Sequence, residues 1–459
     1  MLLLSIDTLN NIIEYLDEDQ NSLHSCLLVN RLWCQVSVRI LWRSVWNYKT
    51  LIACLPNESR KILYENGISI PNSKPPIFNY ASFCKFLSVD QININIEQLF
   101  KNHRYFLSYN SINNIYMITQ EIFKLFMNQI TSLKSLSFYL FKRDLIIYHT
   151  GAKECLKDLK ELRCCTDISP EFFHQLSQIC HNIQSLTLSF RGIISNGLTD
   201  LISSQKNLKY LYMLQFYNYE NLNDIIISLT KIPNTLIKLS IHGYGGLRYA
   251  SLSFISNFTN LQELILSFYN IDSFEDFKIL QYVRFSKLES LKFQFEFPRN
   301  DLLIKFLENN GKNLKEFYVN KSNEELNLAV IKYCPNLRKL FSEFKNSELD
   351  SLKMILNNLH NLESIKISYN EEGFNEKDLF DILVKCSPKN VCELILSSSY
   401  KKFDLLPNEL ESFFLNWMNR VPRTSLSLII INFVISDENK KIIEKYINLG
   451  IIKKFKIGY

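Results

Sequence analysis

Five residues between 164 and 181 carry side chains that ligate metals: Cys164, Cys165, His174, Cys180 and His181. Zinc sites gather ligands through short hairpin spacings such as C-x-x-C, and no such spacing occurs here. Cys164 and Cys180 instead fall on a periodic apolar pattern, so the expectation is packed core and no metal. The stretch His242-Gly243-Tyr244-Gly245-Gly246 is glycine-rich. A phosphate-cradling loop needs a following Lys and Ser or Thr to reach the phosphates and their cation, and these are missing. Neither G-x-S-x-G nor H-E-x-x-H is present. The residues with chemical potential therefore point to a chain with no catalytic residues, metal or cofactor, one that binds rather than reacts.

The elements that position side chains follow from composition and period. With 459 residues, a conventional chain would form about three domains, unless a repeat array replaces them. Hydrophobic residues at 47% against 21% charged specify a packed chain. The net charge, 52 − 46 = +6, is mild and its lysine pairs are scattered, so nucleic acid is not the expected partner. The N-terminus lacks a basic leader. The longest apolar stretch, Leu426–Ile435, is broken by Ser427 and Asn432 and is shorter than the ~18 residues of a membrane span. Eleven cysteines, an odd number, suit reduced thiols, with the cytoplasm and/or nucleus as the expected location and no membrane partner.

An L-x-x-L-x-L pattern repeats along most of the chain. It runs through Leu133-Leu136-Phe138, Leu159-Leu162-Cys164, Ile183-Leu186-Leu188, Leu208-Leu211-Met213 and Leu236-Leu239-Ile241. It continues through Leu261-Leu264-Leu266, Leu288-Leu291-Phe293, Leu314-Phe317-Val319, Leu337-Leu340, Leu362-Ile365-Ile367 and Val391-Leu394-Leu396. Positions 133 to 391 span 258 residues in ten intervals, about 26 each, which is the period of leucine-rich repeats. Polar starters such as Ser322-Asn323, Ser347 and Asn375 precede apolar stripes at helical spacing. Each unit therefore reads as strand, loop, helix. The expected fold class is α/β, a leucine-rich-repeat solenoid: a horseshoe with a parallel sheet on its concave face and helices outside. Asn207, Asn260, Asn313, Asn336 and Asn361 open repeats and should satisfy backbone groups at the helix-to-strand turn. Cys180, Cys334 and Cys386 should be small core residues. Residues 79–130 read as an irregular first unit, with Phe83, Phe86 and Leu87 on a helical face and Ile92-Ile94-Ile96 as a strand. Further strands are expected at Ser425–Ile431 and around Ile452, separated by helices near 408–420 and 437–448.

Residues 1–48 have another period. Asp7-Thr8 can cap a helix carrying Leu9, Ile12, Ile13 and Leu16, which Asp17-Glu18-Asp19 ends. A second helix runs through Leu23, Cys26 and Leu27, and a third through Val36, Ile40 and Leu41 to Trp42. So much Leu, Ile and Trp in so short a unit implies an apolar face covered by something else.

Leu4-Ser5-Ile6-Asp7-Thr8-Leu9-x-x-Ile12-x-x-Tyr15-Leu16, then Cys26-Leu27-Leu28-Val29-Asn30-Arg31-Leu32-Trp33 and Leu41-Trp42, resembles an F-box. The family pattern is L-P-x-E-x-L-x-x-I-x-x-Y-L, then C-x-x-V-x-R-x-W and a terminal L-W. Ser5 stands where the family has Pro, and Asp7 where it has Glu. Head and repeats together resemble the F-box/leucine-rich-repeat proteins, as does the connecting Pro75-Pro76-Ile77-Phe78-Asn79-Tyr80. The resemblance implies an F-box over 1–48, a linker over 49–78 and a solenoid over 79–459. It implies a head that docks a Skp-type adaptor, and through it a cullin, by means of Leu4, Leu9, Ile12, Ile13, Leu16, Leu28, Val29, Trp33, Leu41 and Trp42. It further implies a substrate-recognition subunit of an SCF-type ubiquitin ligase that directs a protein substrate to degradation, the alternative being a non-degradative scaffold. The substrate would meet strand residues lying between the core positions: Tyr210, Tyr212, His242, Glu263, Lys292, Tyr318, Phe341, Lys366 and Glu393.

Overall fold

The computed structural model describes residues 5–70, 76–101, 111–139, 151–216, 222–244, 251–321, 323–344, 348–369, 376–398, 406–420, 424–432 and 435–458. Leu4 and Pro75, and the expected helix starters Ser322, Ser347 and Asn375, lie outside them. The chain divides into two units, Met1–Met213 with Tyr219–Pro233, and Leu214–Asn218 with Asn234–Tyr459.

The first unit opens with helices α1 Ile6–Glu14, α2 Gln20–Leu27 and α3 Arg31–Leu41. Ser5, not Asp7, caps α1: its hydroxyl accepts the Thr8 amide at 3.1 Å, a side-chain acceptor that a proline at this position would lack. Asp19 caps α2 through the Ser22 amide, and Asn30 caps α3 by accepting from both Leu32 and Trp33. Leu9, Ile13, Leu23, Val36, Val38, Ile40, Leu41 and Trp42 close a small core between them.

The segment expected as a linker is structured. Helices α4 Tyr48–Ala53 and α5 Asn57–Glu65 occupy it, burying Leu51, Ile52, Leu55 and Leu63. Arg60 ties them by donating to the carbonyls of Ile52, Ala53 and Leu55. Next come strand β1 Phe86–Ser88 and helices α6 Val89–Lys101 and α7 Ser111–Gln129. Strand and helix are thus exchanged relative to expectation. The Ile92-Ile94-Ile96 alternation competes with Val89-Ile92-Ile96 at helical spacing. The helix wins: Val89, Ile92 and Ile96 are fully buried, Ile94 is exposed, and the Ser88 hydroxyl accepts the Gln91 amide in the first turn.

The repeats then follow the expected register. The first unit adds β2 Ser135–Phe138, β3 Glu161–Cys165, β4 Ser185–Phe190 and most of β5 Tyr210–Gln215. The second holds β6 Lys238–Gly243, β7 Glu263–Phe268, β8 Ser290–Phe295, β9 Glu316–Tyr318 and β10 Lys339–Glu343. It ends with β11 Ser364–Tyr369, β12 Glu393–Ser398, β13 Leu426–Ile431 and β14 Ile452–Gly458, helices Pro407–Met418 and Asp437–Asn448 separating the last strands. Within each unit the strands pair in parallel with their chain-order neighbours, and helices or 3-10 turns fill most intervals. The fold is therefore α/β, a solenoid of the leucine-rich-repeat type. The pattern residues from Leu133 to Leu396 are its core, all buried.

The repeat asparagines bond one repeat back. Asn260, Asn313, Asn336 and Asn361 donate to the carbonyls of Asn234, Ser286, Lys312 and Pro335 at 2.8–3.1 Å. Asn207 instead meets the Asn182 side chain. These bonds stitch adjacent turns and satisfy carbonyls that the helix-to-strand reversal leaves open. All eleven cysteines are free; Cys180 and Cys334 are buried, whereas Cys386 is half-exposed and not core. Among the described residues no helix is long and apolar enough to cross a membrane.

Candidate functional site: an apolar head and a charged sheet face

The head sorts the motif residues by depth. Leu9, Ile13, Leu41 and Trp42 are buried, and Leu16 and Trp33 pack partly against them. These six build the head and present little of themselves to a partner. Ile12, Leu28 and Val29 are exposed, Leu28 to 88%. Two neighbours join them: Ile6, and Tyr15 at 92%. Tyr15 belonged to the motif but not to the expected contact set. Its signal was its place one turn after Ile12, off the Leu9-Ile13-Leu16 stripe. Large apolar side chains held this far into water cost solvation, which makes them the head's candidate contact residues.

Trp42 lies in the joint between head and repeats. Its ring packs on Tyr80 at 4.4 Å and Trp46 at 5.5 Å, and Phe78 meets Tyr80 edge-on. The Arg43 carbonyl accepts the Lys85 and Phe86 amides at 2.8 and 3.0 Å, and Ser44 bridges to Phe86 as a parallel partner of β1. The Arg43 guanidinium reaches back to Glu14 at 2.6 Å and Asp17 at 3.4 Å. One residue thus holds α1 through its side chain and the first strand through its backbone. This continues the sheet's hydrogen bonding into the head and covers the edge of β1.

On the sheet face turned away from the core, the second unit aligns its charges by register. Lys238, Glu263, Ser290, Glu316, Lys339, Ser364 and Glu393 form one row across β6–β12. Lys292, one position along, reaches into it. Glu263 accepts from Lys238 at 2.6 Å and Lys292 at 3.0 Å; Glu316 accepts from Lys292 at 2.7 Å, Lys339 at 3.0 Å and the Ser290 hydroxyl at 2.9 Å. Burial alone would raise the Glu316 carboxyl, but these three donors outweigh it and hold it at about 2. The same balance lowers Glu263 and raises Lys292. Ser364 donates to Glu393 at 2.7 Å. Glu263 and Lys292, expected as substrate contacts, are therefore neutralised by their own neighbours.

The adjacent row holds Lys292, Tyr318, Phe341 and Lys366. Tyr318 and Phe341 pack at 5.7 Å, with the Lys366 ammonium 5.8 Å from the Tyr318 ring centre. Tyr210 is exposed and Tyr212 half-buried in the first unit. His242 departs from expectation. It is buried to 6% exposure, its Nε2 is 2.7 Å from the Ser240 hydroxyl, and burial pushes its imidazole down to about 4. It is a neutral packed side chain, unable to meet a partner.

A set of rings, exposed at Tyr244, Tyr269 and Phe295 and half-buried at Phe216, lies outside the expected site. Phe216 stacks on Tyr244 at 5.4 Å and Tyr269 on Phe295 at 3.9 Å, with Phe295 held at φ +73°. That backbone conformation is strained for an aromatic residue. Positions 216, 244, 269 and 295 recur at the repeat period just past or at strand ends, and this spacing was the available signal.

No protein-family model and no curated protein matches the sequence. Among solved structures it is similar to a chain of the "Crystal structure of Rad7 and Elc1 complex in yeast", with 15% identity and a TM-score of 0.41, over 86% of this chain and 96% of that one.

Proposed function

We propose that the chain is the substrate-recognition subunit of an SCF-type cullin–RING ubiquitin ligase. Its head docks a Skp-type adaptor, the adaptor joins it to a cullin, and the repeats hold a protein substrate for ubiquitin-dependent degradation. The observation that carries this reading is the division of the head into a closed core and a projecting set, Ile12, Tyr15, Leu28 and Val29. A head that fills its own core and still displays large apolar side chains is built to be covered by a second protein. The spacing of those residues within the F-box-like motif supports an adaptor as that protein. The chain makes and breaks no bonds in this scheme; it contributes proximity and orientation to chemistry carried by the other subunits.

The test is reconstitution of the full chain with purified Skp-type adaptor and cullin, followed by size-exclusion chromatography. Co-elution of all three is expected. A folded chain that binds no adaptor overturns the docking role, and one that binds adaptor without cullin leaves a scaffold that does not direct degradation.

A further inference from the structure

The charges on the sheet face of the second unit change character along the array. From β6 to β10 each lysine named above has a glutamate: Lys238 and Lys292 reach Glu263, and Lys292 and Lys339 reach Glu316. From β11 to β14 the pattern breaks. Lys366 has only the Tyr318 ring, with no carboxylate in ion-pair distance among the described residues, and burial lowers its ammonium. Lys454 and Lys456 are exposed on β14, in register with Ser427 and Ile429 and likewise without an acidic partner among the described residues. Glu393 is the acidic residue of these four strands' outward rows, and Ser364 already bonds it; Glu343 stands one strand earlier, at the end of β10.

Lysines on a terminal strand have an ordinary use, since they discourage edge-to-edge pairing. That accounts for β14 but not for Lys366, three strands further in, where a half-buried cation without a counter-ion costs free energy. We infer that Lys366, Lys454 and Lys456 form a docking strip for an extended acidic segment of a partner protein, read through two carboxylate side chains. The inference rests on the reading of the repeats as the substrate-holding part of the molecule. The strip's geometry sets the spacing of the segment. Lys366 and Lys456 occupy one row three strand steps apart, about 14 Å, and an extended chain covers that in about four residues. The strip carries point-charge ammonium groups, which pair with single carboxylates, and no guanidinium fork to grip an oxyanion in two places.

The experiment presents the full chain to immobilised degenerate peptide libraries in which two glutamates are fixed at separations from i,i+1 to i,i+6. Parallel libraries carry glutamine or phosphoserine at the same places, and a single-stranded RNA serves as a polyanion control. Retention should peak at i,i+4, vanish with glutamine, and fall about tenfold for each of Lys366→Gln and Lys456→Gln. The inference is overturned if retention ignores the spacing, if both variants bind as the wild type does, if phosphoserine is strongly preferred, or if RNA is retained as well as peptide. Adaptor binding is measured on the same preparation. A chain that binds adaptor but no acidic library sinks the strip alone, whereas one that binds the library but no adaptor sinks the ligase reading alone.

Discussion

Leu9 and Leu28 are the same residue in one small head, and truncating each to alanine should produce opposite results. Leu28 is 88% exposed in the free chain, so its side chain is buried only when a partner covers it. Burying a leucine side chain is worth about 1.5–3 kcal/mol, and alanine keeps a fraction of that. Leu28→Ala should therefore weaken adaptor binding by about 2 kcal/mol, about thirtyfold in Kd, with stability changed by less than about 0.5 kcal/mol. Leu9 is 1% exposed and belongs to a core of eight buried residues. Leu9→Ala leaves a cavity costing about 2–5 kcal/mol, a loss that so small a core absorbs badly. The paired measurement is adaptor Kd by calorimetry beside a urea unfolding curve for each variant. Leu28→Ala should shift the first and leave the second, whereas Leu9→Ala should shift the second and lose binding only as the head unfolds. Unchanged affinity in Leu28→Ala, or a loss of binding matched by a loss of fold, would refute the division of the head into support and contact surface.

Glu316→Gln tests the charge relay. A carboxyl held at about 2 against an ordinary 4.5 stabilises the fold above pH 4.5, and that stability is lost as pH falls through about 2. Because Lys292 keeps Glu263, the expected cost is about 2 kcal/mol at pH 7, and the gap from wild type should close toward pH 2; a gap independent of pH in urea midpoints would show that the relay is not electrostatic. Trp42→Ala removes a 3%-exposed ring from the head–repeat joint and should cost about 3–5 kcal/mol. It should also speed hydrogen exchange at the Lys85 and Phe86 amides that Arg43 accepts, and unchanged protection there would place the joint elsewhere.

The repeat array was legible because its signal is redundant. Eleven pattern units predict one register, and a parallel sheet buried on one face punishes any slip by turning core residues outward. The asparagines followed the same period and do bond at the turns, though their partners belong to the preceding repeat, which no single repeat can reveal. The irregular first repeat, residues 79–130, is ambiguous for lack of redundancy. Between 83 and 96 two short patterns overlap, and a strand and a helix both satisfy the isoleucines until Val89 and the α7 packing partner are counted. The linker failed similarly: Leu51, Ile52 and Leu55 are apolar enough to be core, but only if something stands opposite.

The candidate site exposes a deeper limit. Spacing tells which side chains share a face, and it placed the head residues on helices whose faces were real. It does not tell whether a face is covered. Trp42 is buried because Tyr80 and Trp46 close over it, and Leu28 is exposed because nothing among the described residues does. The difference lies in chain segments that a motif does not contain. The sheet face repeats the lesson with charge. Read singly, Glu263 and Lys292 were candidate contacts, equal to Lys366. Registered strand by strand, the first two are spent on each other and the third is left over. Neutralisation is a property of the pair, so a charged residue on a repeat surface becomes a candidate contact only after its cross-strand neighbours have been subtracted. In this chain that subtraction moves the proposed recognition surface from the middle repeats to the last four strands.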